Sequence, residues 1–189
     1  MAVNQALRKV IFERSSDYVV LLNNDVVVTP GWLETMQSAL VTNKFDALGP
    51  LTSENNPHSL DALRGVVPTL PKFTTESPDE RAQVLRKQYG NESFAAQNML
   101  SFFCCLMKRD LIDSIGLLDE NIFAYGEDND YFERMKRMGK RFGIVLGAYV
   151  HHDHGATSST MGANWAEEQK KKAIDYLKEK YSSAPALAE

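Results

Sequence analysis

Residues 17–32 read Asp17-Tyr18-Val19-Val20-Leu21-Leu22-Asn23-Asn24-Asp25-Val26-Val27-Val28-Thr29-Pro30-Gly31-Trp32. The six from Tyr18 to Asn23 predict a strand, because Val and Leu dominate and apolar and polar positions hardly alternate. A run of this kind is buried on both faces, which is typical of parallel sheets covered by helices. It delivers two amides and a carboxylate at its C-terminal end, where open α/β sheets bind their ligands. Asp25 is there either a metal ligand or a turn-former, since Asn and Asp are ordinary turn residues after a strand. Thr29 predicts a helix cap, with Pro30 at the first helical position.

Strand and helix patterns alternate outward from this stretch. Val3, Ala6, Leu7, Val10 and Ile11 fall at helical spacing and predict an amphipathic helix over 2–14. Trp32, Leu33, Met36, Ala39 and Leu40 make the apolar face of the next helix, and 45–50 reads as a short strand stopped by Gly49-Pro50. Residues 51–78 carry Pro57, Pro68, Pro71 and Pro78 without lasting periodicity. Loops of that length inside a domain are usually functional. Ser77-Pro78-Asp79-Glu80 starts a helix that ends at Gly90-Asn91. Met99–Met107 predicts a second buried strand, 109–115 a short helix and 127–138 a longer one. Two short strands follow at 142–146 and 149–151, then a charged helix from Thr160 to about Tyr181 and a frayed tail over 182–189. The class is α/β, in a single domain over 1–181.

The 189 residues suffice for one full core, and 43% hydrophobic with 24% charged residues exclude a disordered chain. A net charge of −4 gives no footprint for nucleic acid. Two basic clusters, Lys136/Arg137/Lys140/Arg141 and Lys170/Lys171/Lys172, read as solvated helix faces. No apolar run approaches the ~20 residues that span a bilayer. Cys104 and Cys105 are adjacent and lack metal or redox spacing, so they read as buried thiols in a reducing compartment.

Three polar clusters carry chemistry. Asn23-Asn24-Asp25 ends the first strand, Glu127-Asp128-Asn129-Asp130 opens a helix, and His151-His152-Asp153-His154 follows the last strand. Carboxylate with imidazole suits Mn2+, and carboxylate with water suits Mg2+. Each cluster also has a plainer account. Acidic residues are favoured at helix starts by the macrodipole, and His-rich tracts can be solvated loops. Three of the four histidines within four positions outweigh a single one. A carboxylate at a helix start also suits a general base, because backbone N–H groups there are expected to keep it ionised.

With these segments in view, the chain resembles a family-2 glycosyltransferase of GT-A fold, in the rhamnosyltransferase-like branch that builds bacterial surface polysaccharides. The resemblance rests on DYVVLLNNDVVVTPGWLETM, ALGPLTSENN, FFCCLMKRDLIDSIGLLDENIFAYGEDNDYFERMKRMGKRFGIVL and AYVHHDHGATS, in that order, over most of residues 1–160. It implies a metal-dependent inverting transfer from a nucleotide-diphosphate sugar to a glycan or lipid-linked acceptor. Asn23-Asn24-Asp25 would be the DxD-type donor motif, with Asn at its first acidic position and Asp25 the metal ligand. Glu127-Asp128 would be the catalytic pair, with Asp128 the base. His152 would complete the metal site, in the His-x-x-Gly-x-Ser/Thr pattern with Gly155 and Thr157, for Mn2+ or Mg2+. Residues 51–97 would shape the acceptor side. Trp32 reads as core, with stacking on a sugar as its alternative. The implied location is cytoplasmic, peripheral at the inner membrane face.

The resemblance begins partway through the family's pattern. Ala2–Leu7 resembles the segment before the DxD strand, so the expectation is a truncated GT-A fold with a mixed, mainly parallel sheet. That form lacks the first β-α-β portion, which holds the nucleotide. An open edge is then expected near Tyr18–Asn23, covered by a homodimer partner or a complementing chain. Two rival readings stand beside the transferase. One is a non-catalytic module that binds sugar, nucleotide or metal. The other is an unrelated carboxylate–metal enzyme such as a nucleotidyltransferase or phosphohydrolase.

Overall fold

The computed structural model describes residues 2–14, 16–53, 57–97, 99–153 and 164–182. The strands are β1 (Tyr18–Leu22), β2 (Val26–Val28), β3 (Ala47–Leu51), β4 (Ser93–Ala95), β5 (Cys104–Lys108) and β6 (Phe142–His152). The helices are α1 (Ala2–Glu13), α2 (Trp32–Thr42), α3 (Leu60–Leu63), α4 (Pro78–Tyr89), α5 (Arg109–Ile115), α6 (Glu127–Arg137) and α7 (Trp165–Ser182). The strands form one sheet in the order β1-β5-β3-β6-β2, and β4 also pairs with β6.

Period-2 alternation builds the two faces of this sheet. Leu48, Leu106 and Val145 turn to one side and bury with Met36, Ala39 and Leu40 of α2. Ala47, Cys105, Met107 and Ile144 turn to the other, against Leu111 and Ile112 of α5, Phe132 and Met135 of α6, and Leu85 of α4. Helices therefore cover both faces, as the Val/Leu-rich runs required. Cys104 and Cys105 are free, buried thiols, and burial pushes both well above the ordinary thiol value.

The mixed sheet is not mainly parallel. Among the described strands only β3 and β6 run parallel; β1–β5, β3–β5, β4–β6 and β2–β6 are all antiparallel. An apolar run reports burial on both faces, and helices can cover both faces whichever way neighbouring strands run. β5 comes back between β1 and β3 with its direction reversed. β1 also departs from expectation. It is half-buried, ends at Leu22, and pairs only with β5 among the described residues. The open edge expected there is thus present.

Two further differences have local causes. Residues 142–152 form one strand, not two, because a bulge absorbs the irregular middle. Val145 pairs with Pro50, whereas the next partner, Leu51, faces Tyr149. Leu146, Gly147 and Ala148 lie between, and a Cβ at Gly147 would collide with the Gly90 carbonyl at the end of α4. Nor does Thr29 cap α2. Its hydroxyl donates to the Tyr149 carbonyl at 2.6 Å, and Gly31 takes the N-cap position in a left-handed conformation (φ 74°). By contrast Ser77 and Glu80 form the reciprocal capping box that opens α4, with Pro78 at its start. In α1 only Leu7 of the expected apolar face is fully buried. Asn4 beside it is buried too, and exchanges hydrogen bonds with the backbone of Leu118 in both directions.

α7 is fastened to α6 by charge. Asp130 is fully buried. It accepts from Lys180 Nζ at 2.5 Å, from the Tyr181 hydroxyl at 2.7 Å and from Arg134 at 2.9 Å. Lys180 also donates to Asp119 at 2.6 Å. Burial works against the Lys180 charge, but its two carboxylate partners outweigh burial and raise its pKa. Breaking one side of a buried ion network leaves uncompensated charge and costs about 3–5 kcal/mol, whereas exposed pairs such as Lys9–Glu13 contribute little. Asp130→Ala is therefore expected to lower unfolding free energy by ~3 kcal/mol in urea melts, and Lys9→Ala to leave the midpoint nearly unchanged.

Candidate functional site

The C-terminal ends of β1, β3 and β6 and the N-terminal approach to β5 meet at one end of the sheet. The Asn23 amide donates to the Phe103 carbonyl at 2.8 Å as β1 ends. The chain turns at Asn24 and Asp25 into β2, which pairs Val26 with His152. The Asp153 amide donates to the Asp25 carbonyl at 3.0 Å. These backbone bonds bring the Asp25 and His152 side chains together, with Oδ1 3.1 Å from Nε2. The His152 ring stacks on Phe103, with centroids 5.0 Å apart and planes 13° off parallel. His151, one residue earlier, turns the other way and lies 3.1 Å from Asp153 on the surface.

A cavity of about 540 Å3 opens here. Asn23, Phe103 and His152 wall one side, and Glu127 and Asp128 at the start of α6 wall another. Asp25 borders His152 and is not itself on the cavity wall, and Asn24 is exposed at the turn outside it. His154, Gly155 and Thr157 lie outside the described residues. Trp32 packs with Phe103, Cys104 and Val150, as core.

The carboxylates at the start of α6 are aimed by a sharp turn. Tyr125 is left-handed at φ 61° and Gly126 at φ 106°. A Cβ at Gly126 would also press on Ala173 of α7 at 3.0 Å, so only glycine satisfies both demands. The helix start does not hold the Asp128 pKa down, although the carboxyl is still largely ionised at neutral pH, as expected. Burial, then the adjacent Glu127 charge, pushes its pKa up to about 6. Hydrogen bonds from the amides of Asn129 and Phe102 oppose that shift and are outweighed. Glu127 Oε2 is buried, with no hydrogen-bond partner among the described residues. A carboxylate that titrates near neutrality inside a cavity suits proton abstraction.

A divalent ion would find two protein ligands here. Among the described residues no group of three or more His, Cys, Asp or Glu side chains could hold a metal, so the remaining positions would fall to ligand oxygens and water. Right-angled ligands at metal bonds of ~2.1 Å stand ~3.0 Å apart. The 3.1 Å between Asp25 Oδ1 and His152 Nε2 fits that spacing.

Four contributors escaped the sequence reading. Lys170 reaches the cavity from α7, paired with Glu167 at 2.9 Å and set over the Tyr125 ring. Ser101 and Phe102 line the cavity floor just before β5. Beneath them His58 is fully buried, accepts from the Ser101 amide through Nε2 at 3.0 Å and shares a hydrogen bond with the Pro50 backbone. Burial depresses its pKa to about 4, so the ring stays neutral and keeps its acceptor. The signal available in the sequence was Gly49, which carries no side chain because His58 occupies the space a Cβ would need.

The fold and this end of the sheet define an α/β domain with an imidazole–carboxylate pair and a helix-start carboxylate around one cavity. No family model matches the chain. It is 27% identical over 176 residues to N-acetylglucosaminyl-diphospho-decaprenol L-rhamnosyltransferase from two strains of Mycobacterium tuberculosis. That alignment covers 88% of this chain and 56% of the relative, so the chain spans about half the length of the curated relatives it matches. The match supports a glycosyltransferase-like family, in agreement with the resemblance carried by the motifs.

Two measurements check this geometry. A carboxyl whose folded pKa lies near 6, above its ordinary 3.8, takes up a proton on folding between those values. It then costs stability once pH rises past about 6 and nothing well below 4. Metal-free Asp128→Asn is therefore expected to be more stable than the native chain by ~1–3 kcal/mol at pH 8, the gain shrinking toward zero near pH 4. Gly49→Ala should displace His58 and lower the thermal midpoint by several degrees, whereas the exposed Gly65→Ala should not.

Proposed function

We propose that this chain carries the catalytic part of an inverting, metal-dependent glycosyltransferase site. The donor would be a nucleotide-diphosphate sugar, and the acceptor a hydroxyl on a glycan or lipid-linked saccharide. The observation that carries this reading is the common cavity. Asn23 and His152, with Asp25 behind them, face the Asp128 carboxylate across it. The relative's printed activity, rhamnosyl transfer to N-acetylglucosaminyl-diphospho-decaprenol, is of the same class.

Asp128 accepts the proton of the acceptor hydroxyl, and the freed oxygen attacks the anomeric carbon from the face opposite the leaving group. The carbon–oxygen bond to the nucleoside diphosphate breaks, and the configuration inverts. Asn23 donates a hydrogen bond to the donor's phosphate or ribose. Glu127 raises the proton affinity of Asp128 through like charge at the same helix start. The Phe103 ring holds His152 in orientation. A divalent ion held by Asp25 and His152 would neutralise charge developing on the leaving diphosphate.

Thermal melts with Mn2+ and each of UDP, GDP and dTDP test the donor half. Binding to the folded state raises the midpoint by mass action, ~2.7 kcal/mol at a hundredfold excess over Kd. Asp25→Ala should abolish the metal-dependent part of the shift. No shift with any nucleotide at millimolar concentration would overturn the reading. In the transfer assay, the rate should rise with pH through about 6 as Asp128 ionises, and Asp128→Asn should reduce it by ~10²-fold or more while leaving the Mn2+ shift intact. Binding without turnover would favour the non-catalytic module instead.

A further inference from the structure

A second cavity of about 510 Å3 lies against the first, between the start of α6 and one side of α7. Tyr125, Gly126, Asn129 and Lys170 line both, so the two are continuous. Their characters differ. Beyond Lys170 the wall is Ala173, Ile174 and Leu177, and Lys178 closes the far rim. Ile174 is 50% exposed although it sits in the middle of that apolar strip. A saccharide needs hydrogen-bond partners along its length, and this strip offers none. The volume lies within the ~300–1,000 Å3 of small-molecule sites.

The order of residues along α7 fixes a direction. Lys170 stands at the junction with the catalytic cavity. The apolar strip follows over the next two helical turns, and Lys178 comes ~12 Å beyond Lys170 at 1.5 Å per residue. A molecule that places a hydroxyl at Asp128 meets a cation next and hydrocarbon-compatible surface after that. Lys170 is exposed, pairs with Glu167 at the surface and lies over the Tyr125 ring, and these contacts are weak enough for it to turn to a phosphate. Lys178 has no acidic partner among the described residues, and its methylene stem extends the apolar wall while its ammonium stays in water. The order of hydroxyl, anion and apolar chain is that of a saccharide linked through phosphate to a lipid.

We propose that the α6–α7 groove holds the acceptor's lipid phosphate, with the phosphate at Lys170 and the first part of the apolar tail on Ala173, Ile174 and Leu177. This deepens the transferase reading and rests on it for the hydroxyl at Asp128.

Binding of submicellar prenyl diphosphates to the metal-free chain tests the groove separately from the chemistry. The probes are inorganic diphosphate, geranyl diphosphate and farnesyl diphosphate, followed by calorimetry in EDTA. Each buried methylene is worth about fourfold in affinity, so affinity should climb in that order. Ile174→Gln, a neutral change at a half-exposed position, should weaken farnesyl diphosphate by about tenfold and leave inorganic diphosphate unchanged. Lys170→Ala should weaken all three probes. Equal affinities for inorganic and farnesyl diphosphate, or a chain-length gain that survives Ile174→Gln, would overturn the groove assignment. The Mn2+–nucleotide shift, measured on the native chain and on the same Ile174→Gln protein, keeps the two readings apart. A native chain that shows the nucleotide shift but no prenyl series rejects the groove alone. A prenyl series without any nucleotide shift in the native chain rejects the transfer reading and leaves lipid-phosphate binding standing.

Discussion

The bulge at Leu146–Ala148 governs how the rest of the site is assembled. Before it, β6 runs parallel to β3 and pairs on its other side with β4. Beyond it, Tyr149 again faces Leu51 of β3, and Val150–His152 pair with β2. The three extra residues set the register in which Val26 faces His152, beside the turn that carries Asp25. Gly147 makes the bulge possible by letting the α4 terminus approach the backbone, and Thr29 ties β2 to it through the Tyr149 carbonyl. One backbone irregularity thus joins residues 127 positions apart in the chain. Bulges that re-aim a strand beside a functional cleft are a common device in sheets.

The opposite wall depends on burial and charge. Asp130 is locked by Lys180, Tyr181 and Arg134, and this holds α7 against α6, with Gly126 leaving room for Ala173. That contact fixes where α6 begins and brings Lys170 to the cavity. The environment of Asp128 follows. A helix start alone would favour the ionised carboxylate, but enclosure by the approach to β5 and the adjacent Glu127 outweigh that effect. Desolvation and like charge exceed the help of a few amides when the group is shielded from water. The same enclosure makes Asp128 unfavourable for stability at neutral pH and suitable as a base.

The comparison of sequence with structure follows the same line. Period-2 and period-3.6 patterns located the longer elements but not the short β2, α3 and β4, and Ser77-Pro78-Asp79-Glu80 announced its capping box in full. Asp25, Glu127, Asp128 and His152 were singled out by the motif resemblance, and the structure brings them to one end of the sheet. Lys170 was not, since a lysine in a Lys-rich helix looks like every solvated lysine. His58 gave no sign either. Its role is steric and hydrogen-bonding, and the position that reports it, Gly49, lies nine residues away.

The chain's own residues determined the α/β class, the two-sided burial of its strands and the residue types available for chemistry, because these depend on periodicity and local composition. Strand direction, the single bulged β6 and the burial of Asp128 were settled only by tertiary structure. Direction depends on which strands come to be neighbours, and β5 returned antiparallel between β1 and β3 under the same apolar pattern a parallel strand would show. Proton affinity depends on what surrounds a group in space, and the walls around Asp128 come from β5 and α7 as well as from its own helix. The opening stretch 17–32 placed Asp25 at the end of a strand. The resemblance named His152 as its partner, and the fold set the two side chains 3.1 Å apart.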